Sequence, residues 1–80
     1  MAGSFWDEEE LVGSVPKGRE EVQVRRVAKG GRRYLDLRSF YPGANGQLLP
    51  GKGIALPTEV APAVLSLLQQ ALAAEEADEG

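Results

Sequence analysis

Two glycines, Gly30 and Gly31, separate two stretches of alternating polarity, and that arrangement leaves an antiparallel hairpin as the simplest fold for the middle of the chain. In residues 20–29 (EEVQVRRVAK), Val22 and Val24 alternate with Gln23 and Arg25. In residues 32–41 (RRYLDLRSFY), Leu35 and Leu37 fall on one side of an extended chain, and Tyr34, Asp36 and Arg38 fall on the other. Glycine supplies the positive φ that a tight turn between two such strands demands.

Further along, two clusters of turn formers, PGANG (42–46) and PGKG (50–53), bracket short apolar runs at 47–49 (QLL) and 54–56 (IAL). These runs read as a third and a fourth strand. The period then becomes helical: Val64, Leu65, Leu67, Leu68, Ala71 and Leu72 share a broad apolar face. Thr58 is the expected N-cap, with Glu59 well placed against the helix dipole, so the helix is predicted from about 59 to about 74. Pro62 fits only in its first turn. The order is β-β-β-β-α, an α+β domain of one sheet and one helix in two thin layers. The helix face is wider than one sheet requires. That excess predicts a homodimer packed through the helices, with Val64, Leu65, Leu68 and Leu72 at the contact. Residues 1–18 lack periodicity and read as a flexible acidic N-terminal tail, residues 19–74 as the domain, and residues 75–80, whose acids oppose the dipole, as a disordered acidic C-terminus.

Composition narrows the function. Eighty residues suffice for one small domain, which buries only about 60% of its unfolded surface and gains from a partner subunit. With no cysteine and no histidine, disulfides, thiol nucleophiles, the commonest general base and His/Cys metal sites are all excluded. The glycine turns do not continue into a phosphate-binding loop. No catalytic residue, cofactor or metal is therefore expected. No apolar run approaches the ~20 residues of a membrane span, and the start MAGSFWDEEE is not a secretory signal, so a cytoplasmic, nucleoid-associated location is expected.

The formal net charge of −3 conceals a segregation. All nine Lys and Arg lie between Lys17 and Lys52 with only three acids among them, a local net of +6. Such a segment suits a polyanion. Arg25, Tyr34 and Arg38 fall on the polar side of their strands, Lys29 and Arg32 flank the hairpin turn, Lys52 lies in the turn before the last strand, and Tyr41 ends the second. Cations beside aromatic rings can hold a single strand, phosphates on the cations and bases stacked on the rings. Asp36, alone among these cations, is expected to pair with Arg25 or Arg38 at an exposed position. Phe40 is expected in the core.

The segment YLDLRSFYPGANGQLLPGKGIAL resembles the positive cofactor 4 family of transcriptional coactivators and its short prokaryotic relatives. LDLRSFY matches the family's apolar-Asp-apolar-Arg-x-aromatic-aromatic strand, and PGKGIAL matches its Lys-Gly-Ile-Ser-Leu segment. The resemblance implies a four-stranded antiparallel curved sheet followed by one C-terminal helix (ββββα). It also implies a homodimer whose saddle-shaped grooves take single-stranded DNA. Arg38 matches the arginine of the second strand, Tyr41 the stacking aromatic at its end, Lys52 the lysine before Gly-Ile-Ser-Leu, and Arg25 a basic residue late in the first strand. Lys29 and Arg32 match the basic hairpin tip in type. The aromatic usual at the end of the first strand is replaced by Val27 or Ala28, with Tyr34 next to it as a substitute.

The expected function is largely sequence-independent binding of single-stranded DNA, with RNA as the other candidate strand, in transcription coactivation or regulation or in replication and repair. The transcription machinery is an expected partner, and a membrane is not. A second reading is a dimeric interaction module that recruits partners through FWDEEEL. A third has that segment fold over the basic groove and compete with DNA.

Overall fold

The structure, a computed structural model, describes residues 5–79. Four strands, β1 (Glu8–Lys17), β2 (Glu20–Lys29), β3 (Arg32–Pro42) and β4 (Leu48–Pro57), precede one helix, α1 (Ala61–Glu79). The strands form a single antiparallel meander in the order β1-β2-β3-β4. The result is the open curved sheet with a C-terminal helix that the pattern and the resemblance imply. Among the described residues no helix is long and apolar enough to cross a membrane.

The central hairpin forms as its sequence dictates. Lys29 pairs with Arg32 across a two-residue turn in which Gly30 and Gly31 have φ of 59° and 79°. Positive φ at both central residues is the type I′ requirement, and its twist matches that of the flanking strands. The register sets Val24 opposite Leu37, Arg25 opposite Asp36 and Val27 opposite Tyr34. One face therefore carries Arg25 and Val27 beside Tyr34, Asp36, Arg38 and Phe40. The other carries Val24, Leu35 and Leu37.

The four strands are not the four expected. Residues 8–17, read from sequence as part of a tail, are β1; residues 1–4 of that tail lie outside the described residues. β1 has no alternation to read, contains Gly13 and Pro16, and is exposed along its whole length. It needs none, because an edge strand forms one ladder only, and charge, proline and a bulge are the usual features of such an edge. Its register shifts between Leu11 and Gly13. Conversely, the expected third and fourth strands are the single strand β4. The PGKG between them is a bulge rather than a turn: Arg38 pairs with Gly53, but Phe40 pairs with Pro50. A Cβ on Gly53 would lie 2.4 Å from the Leu37 carbonyl oxygen and 2.7 Å from the Arg38 Cα. Only glycine permits that approach.

The helix also differs at both ends. It begins at Ala61, and the carbonyl of Val60 accepts from the Val64 amide at 3.2 Å, so Val60 rather than Thr58 is the N-cap. Starting at 59 would place Pro62 where an amide donor is needed; starting at 61 places it among the free amides of the first turn. At the other end the helix continues to Glu79 instead of fraying after residue 74. Ala and Glu are strong helix formers, and that propensity outweighs a dipole penalty of about 0.3–1 kcal/mol per acid. Gly80, the last residue of the expected disordered end, lies outside the described residues.

The two-layer arrangement expected of helix and sheet is not what forms. Ala61 is buried and Val64 half-buried, but Leu65, Leu67, Leu68 and Leu72 are each more than half exposed. The radius of gyration is 15.0 Å, where a compact chain of this length would have about 12 Å. The helix projects from the sheet. A row of apolar side chains across the back of the sheet, Val24, Leu37 and Ile54, is likewise open to solvent. The small core consists of Val27, Ala28, Phe40 and Ala61, with one charged residue among them.

Candidate nucleic-acid interface

That residue is Asp36. Its side chain has no exposed surface, and it anchors two arginines. Arg38 binds it bidentately, Nη2 to Oδ1 at 2.9 Å and Nε to Oδ2 at 3.1 Å. Arg25 Nη2 donates to Oδ2 at 2.7 Å. Arg38 Nη1 reaches across to the Gly51 carbonyl at 2.9 Å, tying the bulge of β4 to the centre of β3. The sequence reading identified this pairing but placed it at an exposed position. Alternation alone cannot show that two flanking guanidinium groups cover the carboxylate between them.

Burial works against ionisation of Asp36, but the hydrogen bonds and charges of Arg38 and Arg25 outweigh it and hold the carboxyl below its ordinary range. The Asp36 hydrogen bond in turn raises Arg38 above the usual arginine value, against a smaller opposing effect of burial. The folded chain thus gives up the Asp36 proton at lower pH than the unfolded chain does. The resulting stability is complete at neutral pH and is lost as pH falls below about 4 and through the folded value. Thermal melts between pH 7 and pH 2 should show this acid limb, and Asp36→Asn should flatten it. An equally steep limb in the variant would assign the loss to other carboxylates.

A second set of charges comes from β1. Asp7, at its entry, pairs with Lys29 at 3.8 Å; Glu8 pairs with Arg33 at 3.5 Å, Glu9 with Arg25, and Glu10 with Arg26 at 2.6 Å. Each acid of DEEE meets a different cation of the central hairpin. Exposed pairs of this kind contribute about 0–1 kcal/mol each. Their effect is to set the register of a strand that has no apolar pattern. They also offset much of the +6 segment: among the described residues, Lys17, Arg19, Arg32 and Lys52 are the cations outside any ion pair.

On the Asp36 face lies an open groove of about 960 Å³. Arg25, Tyr34 and Arg38, expected on one polar surface, line it together with Lys29, expected beside the hairpin turn. Phe40, expected in the core and buried there, also lines the groove, and the Arg25 guanidinium sits 5.3 Å from its ring centroid. Among the described residues the buried Nε of Arg25 has no hydrogen-bond partner. Glu9, Pro50, Gly51 and Ala55 add to the wall, as do Phe5 and Trp6. Phe5 and Trp6 were visible in the sequence only as aromatics in a segment without pattern.

The remaining candidates sit elsewhere. Arg32 borders a smaller hollow with Tyr34, Pro57 and Glu59. Tyr41 pairs with Leu49 and falls on the alternate face from Phe40, outside the groove lining. Lys52 is exposed within the bulge of β4. Tyr34 is the cross-strand partner of Val27, on the same face.

Comparison with known proteins agrees with this architecture. No curated protein sequence matches the chain. Two crystal forms of a PC4 homolog from Burkholderia pseudomallei K96243 have the same fold. The orthorhombic form has a TM-score of 0.73 at 26% identity, over 85% of this chain and 95% of that one. The tetragonal form has a TM-score of 0.73 at 24% identity, over 80% of this chain and 97% of that one. The family model for Transcriptional Coactivator p15 (PC4) matches residues 17–67, from the end of β1 into the helix. That match spans more than half of the chain, and the chain belongs to the PC4 family.

Proposed function

We propose that this chain binds single-stranded nucleic acid, foremost DNA, as a homodimer in a coactivator or regulatory role or in replication and repair. The observation that carries the reading is the groove: four of the five aromatic rings in the chain line it, together with Arg25, Lys29 and Arg38. Rings stack on bases whatever their identity, and cations that are not already compensated track phosphates. Membership of a coactivator family supports the same reading. The unpartnered faces of α1 and of the sheet back support the homodimer, and a strand-binding protein of this kind would reside with the nucleoid.

The charge distribution makes the test specific. Lys29, Arg32 and Lys52 are the cations nearest the groove and hairpin tip that are held weakly or not at all. With about three phosphate contacts per protomer, log Kobs should fall with log salt at a slope of about −2. Anisotropy titrations of oligo(dT), duplex DNA and oligo(U) at two salt concentrations should rank single strands above duplex with that slope. Absence of single-strand binding at low salt, or tighter duplex binding, would reject the reading. The interaction-module alternative has less support, because every acid of DEEE is already paired within the chain.

A further inference from the structure

The segment bearing Phe5 and Trp6 precedes the family-matched residues 17–67, and it is fastened to the hairpin tip. The Asp7 amide donates to the Ala28 carbonyl at 2.8 Å, and Asp7 Oδ2 accepts from the Gly30 amide at 2.9 Å. This clamp sets Trp6 beside Tyr34, with ring centroids 5.5 Å apart and planes tilted by 46°. Phe5 meets the Trp6 ring edge to face at 4.9 Å and 88°, and Lys29 Nζ lies 4.8 Å from the Phe5 centroid. Three rings thus line one end of the groove in a fixed cluster, flanked by a cation.

We propose that Phe5 and Trp6, which lie outside the family-matched residues 17–67, form with Tyr34 a stacking platform for unpaired nucleobases. The proposal rests on the single-strand reading above. A plug would bury its rings and fill the groove. Here Phe5 is 68% exposed, the Trp6 and Tyr34 planes are splayed, and the groove stays open. Compensation of Arg25 by Glu9 and Asp36 removes phosphate-attracting charge from the same place, which shifts the balance of binding there from phosphate attraction to stacking. Fixing the rings before the strand arrives lowers the ordering cost of each stack.

Trp6 is the only tryptophan in the chain, so its emission reports this one position. The test titrates the full chain with oligo(dT) and with an abasic oligodeoxyribonucleotide of equal length. Oligo(dT) should quench Trp6 and the abasic strand should leave it unchanged. Trp6→Ala should weaken oligo(dT) roughly tenfold, within the range for loss of one stacked base, with abasic affinity unchanged; Trp6→Phe should restore most of the loss. Binding of oligo(dT) with constant emission and unaltered Trp6→Ala affinity would overturn the platform while leaving the single-strand reading intact. Tighter binding by Trp6→Ala would overturn it in favour of occlusion. Failure of the wild-type chain to bind any oligonucleotide would overturn both.

Discussion

Asp36→Asn is expected to destabilise the fold by about 3 kcal/mol, the low end of the range for removing one partner of a buried ion pair. Asp36 is fully buried, whereas the Arg25 and Arg38 side chains keep 13% and 23% of their surface in water, which moderates the loss. Asparagine fills the same volume but turns an amide donor toward two guanidinium groups that are themselves donors only. Arg38 would lose its bidentate partner, and the link from β3 through Arg38 to the Gly51 carbonyl would loosen with it. Small domains have roughly 5 kcal/mol to lose, so the variant should keep only about 2 kcal/mol and stay mostly folded in buffer while unfolding in mild denaturant. Urea denaturation should show the midpoint falling with little change in slope. A loss under 1 kcal/mol would mean that the buried Asp36 pair contributes no more than an exposed one.

How much of this was legible in the sequence follows from where each determinant lies. The hairpin was readable because alternation and the Gly30-Gly31 turn are local. So was the partnership of Asp36 with its arginines, one on the same strand and one directly across the ladder. The bulge of β4 was not readable. PGKG carries the signature of a turn, and what makes it a bulge is the Leu37 carbonyl and Arg38 backbone pressing on Gly53 from the neighbouring strand. β1 was hidden for a related reason. Its three glutamates, adverse in isolation, are matched by Arg25, Arg26 and Arg33, each at least 16 residues away. Phe40 and Tyr41 show the limit for the site: unbroken alternation along β3 puts Phe40, not Tyr41, on the face of Tyr34, Asp36 and Arg38, but the general preference of a large ring for the core pointed the other way.

The exposed helix leads to the other large effect. Leu65, Leu68 and Leu72 lie at the i, i+3, i+7 spacing of one apolar stripe, and each is more than half exposed among the described residues. Burying a leucine removes about 1.5–3 kcal/mol of unfavourable hydration, so leaving the stripe in water costs several kcal/mol that a second copy would recover. In the proposed homodimer the stripe would meet itself around a two-fold axis, and a substitution would enter the interface twice. Leu68→Glu should therefore weaken self-association by a hundredfold or more, since about 3 kcal/mol across two copies of the site already corresponds to that factor. Sedimentation velocity across the micromolar range should show a wild-type dimer and a monomeric variant. The variant should also lose thermal stability in a concentration-dependent way, because folding and assembly are linked. Val24, Leu37 and Ile54 on the sheet back extend the same uncovered surface, so Ile54→Glu tests whether the partner reaches past the helix. If Leu68→Glu stays dimeric while Ile54→Glu dissociates, the sheet back, not α1, is the interface. If the wild-type chain is itself a monomer at these concentrations, the apolar stripe serves some other contact and the homodimer is lost.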